Sequence, residues 1–280
     1  MQASELPRYR ASGHTSLLFA PALVGAVALA IGLGWAYQAL TGGGYVFLDL
    51  VEYVVFVIGV VAAVVAAGRL GKNRNRTLGA ATGVAIAAAA LAAAYYFDWR
   101  SHAPDASFGD FLDRRVAAGW VLGKRSAGQA GTLTGGWVWF FWTLEALVLG
   151  VLAIAFGTAF GPFCEACNRW MDVETVLRRD GLDEATVERV RHAQTIDGIL
   201  DLPPAAPRGG ARGPYTLVYK AHRCGRCSGE AYVTVTAERI IKVRREPFGM
   251  LDKPTSETLH VQVAVPEARL RAFAAQAGAA

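Results

Sequence analysis

Charge is scarce in this sequence: Asp, Glu, Lys and Arg make up 18% of it, and four long runs contain no Lys or Arg at all. Residues 16–40, 45–67, 78–97 and 137–159 each reach the ~20 apolar residues that a ~30 Å hydrocarbon core requires of a spanning helix. Four such runs in the first 160 residues argue against the alternative of ordinary soluble core helices. Also missing are a Gly-x-x-x-x-Gly-Lys-Ser/Thr loop, His-Glu-x-x-His, Gly-x-Ser-x-Gly and a dinucleotide fingerprint. Their absence removes the familiar routes to phosphate, protease, esterase and NAD chemistry. A concentrated basic face is lacking too. The net charge of +5 is spread along the chain, and beyond Ala159 there are 17 Lys+Arg against 15 Asp+Glu, so no nucleic-acid partner is expected.

What is present orients the apolar runs. The segment 68–77 carries Arg69, Lys72, Arg74 and Arg76 with no acid, the mark of a cytoplasmic loop. Both termini then fall inside, and residues 1–15 form a cytoplasmic tail. The first run follows Arg8 and Arg10 but exceeds the ~7–15 residues of a signal-peptide core, so it is read as retained. The loop 98–136 is basic as well, with Arg100, Arg114, Arg115, Lys124 and Arg125, which cuts against this orientation; longer loops follow the charge rule less strictly. Trp35, Tyr37, Tyr45, Tyr95, Tyr96, Trp99, Trp137 and Trp139 gather at the outer ends, as an interfacial belt does. Within the outer loop, Phe108, Phe111, Leu112, Val116 and Trp120 recur at helical spacing, the pattern of a helix lying in the headgroup region. Residues 78–97 are nearly all alanine, and small side chains let backbones approach closely in lipid, so the third span is expected at the packed centre.

The chain also matches itself. Leu40-Thr41-Gly42-Gly43 and Leu133-Thr134-Gly135-Gly136 are identical, and at the same offset of 93 residues Phe47 falls on Phe140 and Glu52 on Glu145. The second and fourth spans therefore read as parallel copies, with Glu52 and Glu145 at equal depth. Asp49 lies one turn from Glu52 on the same helix face. An ionised carboxylate in lipid is costly unless protonated, paired or in contact with water or a cation. One reading makes Asp49, Glu52 and Glu145 an intramembrane proton or cation site. The other makes them neutral carboxyls hydrogen-bonding to neighbouring helices.

Cysteine is rare and wholly patterned: the four residues form two Cys-x-x-Cys pairs, Cys164/Cys167 and Cys224/Cys227. Two such pairs supply the four thiolates of a tetrahedral structural zinc. Gly225 and Gly229 accompany the second pair between two expected strands, where a hairpin tip wraps a metal. Over residues 163–170 and 215–235 the chain resembles a zinc-ribbon knuckle. That resemblance implies one structural Zn2+ held by Cys164, Cys167, Cys224 and Cys227. The 56 residues between the pairs far exceed the ~15–20 of the usual motif, so a helical insertion, 172–202, is assumed. A redox dithiol, a disulfide or an iron–sulfur site are the competing readings, and His222 and His260 are candidate substitute ligands.

Around the knuckles, 172–179 and 183–200 read as helices, 215–222, 230–243 and 259–265 as strands, and 268–276 as a closing helix begun at Pro266. The expected fold is an α-helical membrane protein: a four-helix membrane domain, 16–160, followed by a small α+β zinc-ribbon-like cytoplasmic domain, 161–280. The expected place is the prokaryotic inner membrane, with the lipid bilayer as one partner. The expected role is a membrane-tethered binding or scaffold module that engages a protein partner through the cytoplasmic domain. A transporter or channel using the intramembrane acids is the alternative. A lipid-acting enzyme, with Arg114 and Arg115 holding a phosphate headgroup, is a third reading. No catalytic residue, partner identity or oligomeric state is assigned.

Overall fold

A computed structural model of the chain describes residues 6–40, 46–122, 131–201, 213–227, 230–245 and 249–278. The chain divides into two compact units, 12–160 and a second made of 1–11 together with 161–280.

The first unit holds four helices long and apolar enough to cross a membrane: α1 (Phe19–Leu40), α2 (Val46–Leu70), α3 (Arg76–His102) and, further on, α5 (Gly136–Thr158). A short helix, α4 (Phe108–Ala118), and a two-stranded ribbon of β1 (Trp120–Leu122) and β2 (Gly131–Leu133) lie between α3 and α5. α3 packs against both α1 and α5, and α2 also packs against both. As the alanine content predicts, α3 is the most buried of the four. Its contacts are backbone to backbone: a Cβ on Gly79 would stand 2.1 Å from the Gly157 carbonyl oxygen, and one on Gly83 would stand 2.4 Å from that of Ala153. Only a hydrogen fits there, and such small-residue seams are how helices associate in lipid, where expulsion of water does not drive them together. On either side, Ala26, Ala30, Val60, Ala63, Val64, Ile86, Ala90, Leu149 and Ala153 complete the core.

The basic loop is folded rather than loose. The Asn75 side chain caps α3 by accepting from the Leu78 amide at 3.0 Å. The Arg74 amide and side chain donate to the His14 carbonyl, and the Ser16 hydroxyl donates to that of Gly71. α4 is capped by Ser107 and buries Phe111. Its apolar face is thus partly spent on protein, while Phe108 stays 42% exposed. The segment Thr41–Gly44, which carries half of the internal match, lies outside the described residues.

The second unit begins with a hairpin of β3 (Phe163–Cys164) and β4 (Arg169–Trp170), and continues into a four-stranded antiparallel sheet. The sheet order is β5 (Asp172–Leu182), β6 (Tyr215–Arg223), β7 (Glu230–Arg245), β8 (Gly249–Pro266). Between β5 and β6 come α6 (Glu184–Arg191) and α7 (Ile196–Leu200), and α8 (Glu267–Gly278) closes the chain. These helices bury Val187, Val190, Ile199, Leu270 and Phe273 with Leu217, Tyr219, Val233 and Val263 of the sheet. The Tyr219 hydroxyl donates to the Ile199 carbonyl at 2.9 Å, which satisfies the one polar atom that this ring carries into the core.

Two corrections apply here. Residues 172–179 form a strand, not a helix. The register of β5 on β6 shifts between Thr175 and Leu177, and this bulge sets Val176 beside Leu177. The resulting Val173, Val176, Leu177 spacing imitates a helical stripe. Residues 183–200 form two helices rather than one, because Thr195 caps a fresh start by accepting from the Gly198 amide at 3.1 Å. The tail also does more than expected. The Ala264 amide donates to the Pro7 carbonyl at 2.7 Å, the Tyr9 amide donates to the Gln262 carbonyl at 2.9 Å, and Arg8 bridges Val263. Residues 7–9 are therefore an added edge beside β8.

Candidate metal centre

The fold collapses the long gap between the cysteine pairs. The β3–β4 hairpin puts Cys164 opposite Arg169, with Cys167 in the turn and Asn168 at a positive φ of 49°. Phe163, buried, meets Trp170 edge-to-face at 5.0 Å and holds the hairpin closed. Two residues after Trp170 the chain enters β5, whose first residue, Asp172, pairs with Arg223, the last of β6. Since β5 and β6 are antiparallel, the start of one lies beside the end of the other, and Cys224 follows immediately. The insertion is thus a strand out, two helices, and a strand back.

All four sulfurs lie within 4.8 Å of one another, and Cys164 and Cys227 are 3.5 Å apart. Bonds of ~2.3 Å to a tetrahedral zinc place sulfurs about 3.8 Å from each other, so the residues present fit a single four-coordinate ion. A disulfide needs ~2.05 Å, and all four cysteines are free. A multi-iron cluster divides its thiolates among two or more irons and spreads those on different irons wider than this. The thiols differ in acidity. Cys224 is drawn down to about 6, chiefly because the Arg226 amide donates to its sulfur, whereas Cys167 is pushed up to about 12 by the Cys224 and Cys227 sulfurs. Burial, foremost, raises Cys164.

Neither histidine joins the cluster. His260 is buried with Nε2 2.6 Å from the Val190 carbonyl oxygen, and His222 sets its Nε2 3.1 Å from the Thr234 hydroxyl, its pKa lowered by burial and then by Lys220. Beside the second knuckle a cleft of about 610 Å3 opens, lined by Arg223, Cys224, Arg226, Cys227, Glu267 and Arg271 among others. Glu267 takes Arg271 at 3.0 Å, and Glu174 takes Arg223 at 2.6 Å.

In the helical unit, Glu145 accepts from the Tyr37 hydroxyl at 3.2 Å, while its carbonyl accepts from the Tyr53 hydroxyl at 2.8 Å. Glu52 has one buried carboxyl oxygen, Oε2, with no hydrogen-bond partner among the described residues. Asp49 lies on α2, and its side chain is outside the described residues. Arg114 and Arg115 are both exposed, and Arg115 sets Nε and Nη2 at 3.0 and 2.6 Å from Oδ2 of Asp98. Asp98, buried, also takes Gln38 Nε2 at 2.8 Å. The apolar pattern puts Asp98 at the start of the outer loop, whereas it lies within α3; the readable signal is an acid directly closing an Ala-rich run one residue before Trp99.

Fold and site together define a chain with four membrane-length helices and a sheet unit whose four cysteines can hold a metal ion. No family, curated protein or solved structure matches it.

Proposed function

We propose that the chain is a polytopic protein of the prokaryotic inner membrane whose cytoplasmic sheet unit, clamped by one structural zinc, serves as a membrane-tethered binding or scaffold module. The observation that carries this reading is the complete four-thiol set. Four cysteines saturate a tetrahedral ion and leave no open position for substrate or water, which is the arrangement of a structural rather than a catalytic zinc. When bound, zinc supplies a rigid cross-link. Cys164 and Cys167 lie just after α5, and Cys224 and Cys227 join β6 to β7, so the ion ties the exit from the last long helix to the sheet.

Further features support the same reading. Residues 7–9 pair with β8, which suits an even number of crossings. The basic loop between α2 and α3 falls on that side and favours the cytoplasm. β5 forms a sheet edge, where a partner strand can add. Conduction is less well supported: the Glu145 carboxyl accepts from Tyr37 and its carbonyl from Tyr53, and Asp98 is held by Gln38 and Arg115, so these acids have structural partners. A headgroup role for Arg115 competes with its fork onto Asp98.

The test is elemental analysis of the full chain in detergent, with cross-linking of partners in native membranes. About one zinc per chain is expected. Cys224→Ser should lose the zinc and the cross-linked partners while still inserting in the membrane. Partners retained by the metal-free variant would overturn the proposal.

A further inference from the structure

We infer that the zinc–thiolate site is a reversible peroxide-sensitive switch, with Cys227 as the sulfur oxidised first and Cys164 as its disulfide partner. The inference rests on the structural-zinc reading above and adds regulation to that site. Its basis is an asymmetry of access. Cys164 is buried and Cys167 half-buried, whereas Cys227 is exposed. The cleft beside the site is lined by Cys224 and Cys227 but by neither cysteine of the first pair. A small hydroperoxide entering it therefore meets the second knuckle first, where Cys227 is the more exposed of the two residues. Arg226 and Arg271 line the same cleft, and their N–H groups can hydrogen-bond the leaving oxygen of the peroxide.

Chemistry then follows the geometry. The Cys227 thiolate attacks one peroxide oxygen; the O–O bond breaks, water leaves after proton uptake, and Cys227 becomes a sulfenic acid. A sulfenic sulfur is no longer a thiolate ligand, so the ion loses one of its four bonds. Cys164, its sulfur 3.5 Å away, attacks the oxidised sulfur, an S–S bond forms and the second oxygen leaves as water. In balance, a zinc tetrathiolate, one hydrogen peroxide and four protons give one disulfide, two thiols, two waters and free Zn2+. Two sulfurs are oxidised and one peroxide is reduced. A small thiol reverses the step by exchange, which makes the disulfide transient in a reducing compartment. The product joins one knuckle to the other, so the segment following α5 remains tied to the sheet after the metal has left.

The experiment uses the full chain in detergent under anaerobic loading with zinc. Hydrogen peroxide is added with a chromogenic zinc chelator present, and disulfides are mapped by mass spectrometry after alkylation. Expected are release of nearly all the bound zinc, a Cys164–Cys227 cross-link as the dominant disulfide, and rebinding of zinc after treatment with a small thiol. Zinc retained under peroxide, or a dominant disulfide within either Cys-x-x-Cys pair, overturns this inference and leaves the structural-zinc reading standing. Protein that never holds zinc before peroxide is added overturns both.

Discussion

A half-buried carboxyl in an apolar helix has either a structural or a transport role, and at Glu145 the partners favour the first. Its Oε1 accepts from Tyr37 of α1, and its carbonyl accepts from Tyr53 of α2, so this one residue joins three helices. Glutamine keeps the acceptor oxygen and loses only the capacity to ionise. Glu145→Gln should therefore leave the unfolding midpoint in detergent and any proteoliposome cation flux unchanged. Glu145→Leu, which removes the acceptor, should destabilise by about 0.6 kcal/mol, the average for hydrogen bonds between membrane helices, and by no more than about 1.7 kcal/mol, their maximum. A flux abolished by glutamine would instead assign Glu145 to a path. From the sequence, Glu145 was legible as an intramembrane acid because a charge among apolar residues stands out. Its tyrosine partners were not, because Tyr37 and Tyr53 look like ordinary interfacial aromatics until the helices are packed. Asp98 was missed for a related reason: the residue that neutralises it, Arg115, lies on a different element.

At the scale of elements, legibility followed how tightly the solvent constrains the pattern. Lipid dictates both the length and the polarity of a spanning helix, and the four long helices appear where the apolar runs predict them. β5 illustrates the opposite case. Its bulge between Thr175 and Leu177 breaks the two-residue alternation that marks a strand, and only pairing with β6, more than thirty residues away, decides the matter. The cysteine pairs were legible as one possible site, yet the path that joins them depends on that same misread strand. Packing within the helical unit was legible in kind, since an alanine-rich helix invites close neighbours. Its seam can be tested at Gly79, whose added Cβ would meet the Gly157 carbonyl at 2.1 Å. Gly79→Ala should cost about 1–3 kcal/mol by forcing α3 from α5, whereas Gly25→Ala, where a Cβ meets nothing within 4 Å, should be neutral or slightly stabilising. Comparing the two unfolding midpoints in one detergent separates the close contact from a general effect of glycine.

The sheet unit takes in the beginning of the chain as well as its cysteine cluster. Residues 7–9 do not trail free; they extend the sheet past β8, and Tyr9 meets Tyr232 edge-to-face at 5.2 Å. An edge strand left open exposes a row of backbone donors and acceptors, so the tail protects the sheet. Short polar tails carry no periodicity, which is why this pairing could not be read from the sequence. Removing residues 1–9 should leave Ala264 without its acceptor, since its amide donates to Pro7 at 2.7 Å. Hydrogen exchange at Ala264 should then quicken by at least tenfold, the change expected for losing about 1.4 kcal/mol of local protection. Exchange in β6, for example at Val218, buried and paired on both sides by β5 and β7, should not change. Equal acceleration in β6 and β8 would mean that the tail stabilises the entire unit rather than its edge, and no acceleration at Ala264 would mean that the tail does not dock on β8 in solution.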